Sequence, residues 1–149
     1  MTGPARILVV DDDESIRKVL TTVLEERGYI VDVAENGKEA IKKSFLNFYN
    51  LALIDIKLPD KEGVELLTGL KETTPRMIKV IITGYPSLQN TVDAVNKGAD
   101  GYLIKPFDMK TVLNTTKELL EKQQKERRYS EQRVAEFIET RVKELKIVR

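Results

Sequence analysis

The sequence predicts an α/β protein in which helices wrap a parallel sheet. Two observations carry that prediction. Short apolar runs alternate with helix-length amphipathic stretches along the whole chain, the pattern of strand–helix units. Composition agrees: 149 residues that are 41% hydrophobic and 33% charged can bury a real core within one domain and leave some chain over for an appendage.

The elements follow in order. Ile7–Val10 reads as a buried first strand, and Asp13 or Glu14 starts a helix on which Ile16, Val19, Leu20, Val23 and Leu24 make one apolar face. Gly28 sits where a glycine ends a helix. Ile30, Val31 and Val33 suggest a second strand, Asn36-Gly37 a turn, and Ala40, Ile41, Phe45 and Phe48 a second helix. Leu51–Asp55 is the third strand. The turn formers of Leu58-Pro59-Asp60-Lys61-Glu62-Gly63 lead into a helix carrying Val64, Leu67 and Leu70, which Thr73-Thr74-Pro75 ends. Ile78–Ile82 is the fourth strand. Ser87 caps a helix with Leu88, Val92 and Val95, stopped by Gly98. Tyr102–Ile104 is the fifth strand, and Lys105-Pro106-Phe107 leads into a last helix from about Met109.

Composition also narrows the chemistry. With no cysteine there is no disulfide, thiolate metal site or thiol nucleophile. With no histidine there is no histidine kinase, no Ser-His-Asp hydrolase and no imidazole ligand in this chain. Carboxylates, lysines and hydroxyls must carry the function. No run approaches the roughly 18 apolar residues of a membrane span, and no secretory leader is visible, so a cytoplasmic location away from membranes is expected. The net charge of +1 hides an asymmetry: from Lys122 onward nine basic residues face five acidic ones, so a tail of +4 follows a body of −3.

The candidate site comes from the strand ends. Asp11 and Asp12 follow the first run, Asp55 closes the third, Thr83 the fourth and Lys105 the fifth. In a parallel sheet these positions converge on one rim, where ligands bind. Clustered carboxylates repel unless a cation or a proton neutralises them, and Mg²⁺ takes one or two of them together with phosphate oxygens. Asp55 is the best covalent acceptor, since a carboxylate nucleophile can form an acyl phosphate. Lys105 can pair with that carboxylate or with phosphoryl oxygens, and Thr83 can donate to one of them. Phosphoryl transfer asks for little beyond such positioning and charge neutralisation.

Ile-Leu-Val-Val-Asp-Asp-Asp at 7–13, Leu-Ile-Asp-Ile-Lys-Leu-Pro-Asp at 53–60, Ile-Thr-Gly-Tyr at 82–85 and Tyr-Leu-Ile-Lys-Pro-Phe at 102–107 resemble a response-regulator receiver domain. The resemblance covers roughly residues 5–122. It implies a flavodoxin-like (βα)5 doubly wound sheet of strand order 2-1-3-4-5, with a receiver at 1–122 and a helical extension at 123–149. It assigns Mg²⁺ to Asp11, Asp12, Asp55 and the main-chain carbonyl of Lys57, and the phosphoacceptor role to Asp55. Thr83 and Lys105 match the phosphate-sensing hydroxyl and the phosphate-pairing ammonium. Tyr102 matches the switch aromatic, which turns inward when the threonine moves. A cis peptide at Lys105-Pro106 is expected, as is Gly84 for close approach of the backbone to phosphate. Lys57 and Tyr85 occupy the positions that tune loss of the phosphoryl group, by shielding it or holding it by charge.

The partners implied are a sensor histidine kinase or phosphotransfer protein, which must supply the phosphohistidine, and a downstream protein or output domain. A homodimer is a further expectation, and the chain is not expected to be an enzyme in the usual sense. Nothing points to direct nucleic-acid contact, because a helix-turn-helix domain needs more residues than the tail offers and +4 is a slight charge for it; no nucleotide-binding P-loop is present either. A phosphohydrolase of the haloacid dehalogenase type would use Asp11 as nucleophile and Asp13 as second acid. Asp13-Glu14-Ser15 lacks the hydroxyl and turn residues expected after that motif.

Residues 109–149 exceed what one packed helix needs. Leu113, Leu119 and Leu120 fit the domain, and then Val134, Ile138, Val142 and Leu145, flanked by Phe137 and Val148, form a second stripe about 140° wide. Two readings stand: a helix end that is solvated or folded back on the domain, or a signalling helix that dimerises or leads to an output domain.

Overall fold

The structure, a computed structural model, describes residues 3–148. Five strands alternate with five helices: β1 (Arg6–Val10), α1 (Glu14–Glu26), β2 (Ile30–Ala34), α2 (Gly37–Leu46), β3 (Leu51–Asp55), α3 (Gly63–Gly69), β4 (Ile78–Thr83), α4 (Leu88–Asn96), β5 (Gly101–Ile104) and α5 (Met109–Val148). All strand pairs are parallel and the order is β2-β1-β3-β4-β5. This is the flavodoxin-like arrangement that the resemblance implied. The order reverses between β1 and β3, which creates a crevice at their carboxyl ends.

Side-chain alternation along the strands divides the core into two layers. Leu8, Val10, Ala52, Ile54 and Ile81 face α2, α3 and α4. Ile7, Val9, Leu51, Leu53, Val80 and Ile82 face α1 and α5, where Leu20, Leu24 and Val112 meet them. The three central strands are thus buried on both sides, which is why they read as apolar runs, broken within β4 by Lys79 alone. Truncating Leu20 or Leu24, both fully buried, costs about 2–5 kcal/mol by the usual sum of transfer and cavity terms.

Two helices end as their glycines predict. At α1, Gly28 N–H donates to Glu25 O and Tyr29 N–H to Leu24 O. At α4, Gly98 N–H donates to Val95 O and Ala99 N–H to Ala94 O. Both are Schellman motifs, and φ values of 89° and 98° at the two glycines meet the motif's need for a left-handed residue.

Other expectations are revised. Asn36-Gly37 is not a free-standing turn: Asn36 is the N-cap of α2, its side chain accepting from Glu39 N–H at 2.8 Å. Phe45 is 59% exposed, and Phe48 lies beyond the helix end at Leu46. The reason is that Gly37, Ala40 and Ser44 form the inner face of α2, and small residues let it lie close to the sheet. In α4 the inward residue is Ala94, while Leu88 is 82% and Val95 64% exposed. α3 ends at Gly69, before Pro75: Lys71 N–H goes to Ser44 Oγ, and Lys79 Nζ donates to Leu67 O at 2.9 Å.

The last helix runs unbroken for 40 residues. Its first part packs on the sheet through Val112, Leu113, Leu119 and Leu120. Gln123 then fastens it to the amino ends of the central strands. Its Nε2 donates to Asn50 O and Arg76 O, and its Oε1 accepts from Asn50 Nδ2. From Arg128 to Leu145 every side chain is exposed. The second apolar stripe is therefore not folded back on the domain.

Candidate functional site

The five strand-end residues meet at one rim. Asp11 is fully buried just past β1, with Oδ1 accepting from Asp13 N–H at 2.9 Å and Oδ2 at 3.2 Å from Lys105 Nζ. Asp55 ends β3, almost buried, with Oδ2 at 3.5 Å from the same ammonium. Asp12 is exposed beside them, and one ligand oxygen from each of the three aspartates falls within 4.8 Å of the others.

One lysine does not neutralise three carboxylates. Two like charges at that separation repel by roughly 3–4 kcal/mol near a protein surface. Burial, and then the charge of Asp11, push the Asp55 carboxyl above the ordinary aspartate range, while Lys105 and the Lys57 N–H pull the other way. The donor set is all oxygen and carries excess negative charge, which fits Mg²⁺.

The loop after β3 offers one more oxygen. It is folded back by an antiparallel bridge between Lys57 and Glu62, made by Gly63 N–H to Ile56 O and by Leu58 N–H to Lys61 O. Those bonds use the neighbours of Lys57, so among the described residues its own carbonyl accepts no hydrogen bond. Gly63 permits the fold-back. A Cβ there would stand 2.2 Å from Asp55 O and 2.9 Å from Ile56 Cα. The sequence marked Gly63 only as a turn former.

Thr83 is buried at the end of β4, its Oγ1 accepting from Tyr85 N–H at 3.0 Å and its carbonyl from Lys105 N–H at 2.7 Å. Tyr102 packs against the layer containing α4, and its hydroxyl is buried without a protein partner. Lys105-Pro106 is cis, as expected, and so is Thr74-Pro75. Gly84 is open, a Cβ there meeting only Lys105 Cβ at 3.8 Å. Asp13 points away from this chemistry. It caps α1, accepting from Ser15 and Ile16 N–H, so it is not the second acid of a phosphohydrolase. Arg17, which the sequence reading missed, donates to Asp11 O at 2.8 Å. Its position one turn into α1 was the available signal.

A family model described as the response regulator receiver domain matches residues 7–117. The chain is 37% identical over 119 residues to the transcriptional regulatory protein ResD of Bacillus subtilis, a match taking in 80% of this chain and 49% of that protein. It therefore spans about half the length of that relative. Among solved structures, the CheY-like receiver domain protein from Methanospirillum hungatei superposes with a TM-score of 0.80 at 45% identity, over 83% of this chain and 99% of that one. The Thermotoga maritima response regulator TrrA, solved in complex with Mg²⁺ and BeF, gives 0.69 at 35% identity, over 77% and 98%. The fold is that of a receiver, a two-component signalling domain. The chain belongs to the response-regulator receiver family.

Proposed function

We propose that this chain receives a phosphoryl group on Asp55 from the phosphohistidine of a sensor histidine kinase or phosphotransfer protein. An Asp55 oxygen attacks phosphorus, the P–N bond breaks, and its electron pair leaves on the partner's imidazole. Asp11, Asp12, Asp55 and the Lys57 carbonyl would hold Mg²⁺, which offsets the charge gathering on the phosphoryl oxygens. Lys105 orients the acceptor and then pairs with the phosphoryl group. Thr83 donates its hydroxyl to a phosphoryl oxygen, and Tyr102 carries that movement to the outer face. The observation behind this reading is the shared ammonium: Lys105 Nζ within 3.5 Å of both Asp11 and Asp55, beside a third carboxylate.

The output in this reading is protein contact in the cytoplasm, with neither nucleic acid nor membrane touched by this chain. Leu88, Val92 and Val95 share one exposed face of α4, and Ile104, two residues beyond Tyr102 on β5, is exposed as well; apolar side chains of this kind suit a partner protein, an output domain or a second copy. A receiver at 1–122 and an extension at 123–149 remain the division we favour. ResD is named a transcriptional regulatory protein, and control of transcription through a partner protein or output domain is the output that name favours for this chain. No described helix is long and apolar enough to cross a membrane.

The test is intact mass after incubation with acetyl phosphate and Mg²⁺. One phosphoryl group on wild type, none on Asp55→Asn and none with EDTA is the expected result. Labelling that persists on Asp55→Asn would move the acceptor elsewhere and overturn the assignment.

A further inference from the structure

The loop that carries the Lys57 carbonyl is held at its tip by a contact from outside the rim. Asp60 Oδ1 accepts from Gly37 N–H at 2.8 Å and its Oδ2 from Lys38 N–H at 2.9 Å. One carboxylate thus satisfies two of the free donors at the start of α2, while Asn36 satisfies a third, on Glu39. The next residue reinforces the seat. The Lys61 stem lies so near Gly37 that a Cβ there would come within 2.6 Å of it. Leu58 packs into the core layer beneath. Two segments that read separately as turns, Asn36-Gly37 and Pro59-Asp60, are the two halves of one clasp.

We propose that Asp60 is a positioning residue for the divalent cation: by fixing the tip of the 56–62 loop on α2 it fixes the direction of the Lys57 carbonyl. This rests on the reading of Asp11, Asp12, Asp55 and Lys57 as the Mg²⁺ site. The base of the loop is already pinned by Ile56 N–H to Ile82 O and by Gly63 N–H to Ile56 O. Between base and tip, the Lys57–Glu62 bridge, a 3.3 Å bond from Lys57 N–H to Asp55 Oδ1 and the packing of Leu58 limit rotation about Lys57 among the described residues. Freeing the tip leaves that peptide with fewer restraints, and the cation must then order the carbonyl at the moment it binds. The ionised form of Asp60 is the one being clasped, since the N–H donors of Gly37 and Lys38 hold its carboxyl below the ordinary range. Partners that orient a metal ligand typically govern about 10–100-fold in metal affinity, and an exposed clasp belongs at the low end.

The experiment is calorimetric titration of the full chain with Mg²⁺ alone, for wild type, Asp60→Ala, Asp60→Asn, Asn36→Ala and Asp12→Ala. Asp60→Ala is expected to weaken binding about tenfold, and Asp60→Asn, which keeps one acceptor oxygen, to fall between it and wild type. Asn36→Ala removes a different cap from the same helix end and is expected to bind as wild type does. Unchanged affinity in Asp60→Ala, or an equal loss in Asn36→Ala, would overturn the positioning role and leave Asp60 as a helix cap. If wild type takes up no Mg²⁺, or Asp12→Ala loses none of its affinity, the metal site itself is wrong and the positioning role falls with it.

Discussion

Lys57 Nζ lies 5.0 Å from the centroid of the Tyr85 ring. The residue two beyond Asp55 and the residue two beyond Thr83 therefore touch across the mouth of the site. Tyr85 is 73% exposed, so the pair forms an outer rim rather than part of the core. A cation–π contact at an exposed position contributes roughly 0.5–1 kcal/mol. If the pair stands between solvent and the acyl phosphate, Tyr85→Ala shortens the phosphoform lifetime about two- to fivefold, as that energy converts. Decay of the phosphorylated mass after removal of acetyl phosphate measures it, and a lifetime unchanged in Tyr85→Ala would remove the pair from hydrolysis control.

Burial and the Asp11 charge raise the Asp55 carboxyl above its ordinary value of 3.8. A carboxyl raised on folding binds its proton more tightly in the folded state, so its contribution to stability falls as pH rises from near 3.8 through the folded value. Asp55→Asn abolishes that loss. In divalent-free buffer, its melting temperature should exceed that of wild type at pH 7, and the gap should close as the pH approaches 4. A variant that is no more stable at pH 7 would mean that Lys105 fully compensates the carboxylate.

Metal addition should separate wild type from two variants of the rim. A cation that binds only the folded state stabilises it by mass action, by about 2.7 kcal/mol at a hundredfold excess over Kd. Mg²⁺ is thus expected to raise the melting temperature of wild type and to do much less for Asp55→Asn or Asp12→Ala. Asp12 is exposed and one of three crowded carboxylates, so Asp12→Ala should melt no lower than wild type before metal is added. A Mg²⁺ shift equal in all three proteins would place the cation elsewhere.

Two glycines near the rim should respond differently to alanine. At Gly63 the added methyl meets backbone at 2.2 Å, where no rotamer change can relieve it, and overpacking of this kind costs about 1–3 kcal/mol or more. At Gly84 the nearest atom is 3.8 Å away, so Gly84→Ala should keep the urea midpoint of wild type. Any effect there should fall on the rate of acetyl phosphate labelling, because the methyl enters the space the phosphoryl group needs. Equal midpoints for the two variants would show that the loop after β3 yields more readily than its contacts imply.

Val134, Phe137, Ile138, Val142 and Leu145 are all 45–66% exposed on the extension. Pairing with a second copy would bury them. Light scattering across a concentration series should then show dimer formation by wild type and its loss in Val134→Glu/Ile138→Glu, with no change in melting of the receiver. A monomer at all concentrations, before and after phosphorylation, would leave the stripe for a different partner.

The fold was legible wherever a strand is buried on both faces. Ile7–Val10, Leu51–Asp55 and Ile78–Ile82 needed no partner information, since every position but Lys79 is apolar or ends at the rim. The rim residues were legible for a related reason: each sits at the end of such a run. Helix faces were harder. Phe45, Leu88 and Val95 looked inward by hydrophobicity but lie outward, because the sheet is approached through Ala40, Ser44 and Ala94, where small size matters more than apolar surface. Long-range polar contacts away from the rim were not legible. The pairing of Asp60 with Gly37, like that of Gln123 with Asn50 and Arg76, joins residues 23, 73 and 47 positions apart, and no periodicity encodes it.

The Gln123 bonds have a mechanical consequence. They fasten α5 where it leaves the sheet, at the edge opposite the aspartates, and about 25 residues of rigid helix continue beyond them, ~37 Å at 1.5 Å per residue. Gln123 is thus a fulcrum with a long arm. A tilt of roughly 5° in the packed segment displaces the far end by about 3 Å, so sub-ångström shifts in how α5 rests on the sheet are magnified at the stripe from Val134 to Leu145.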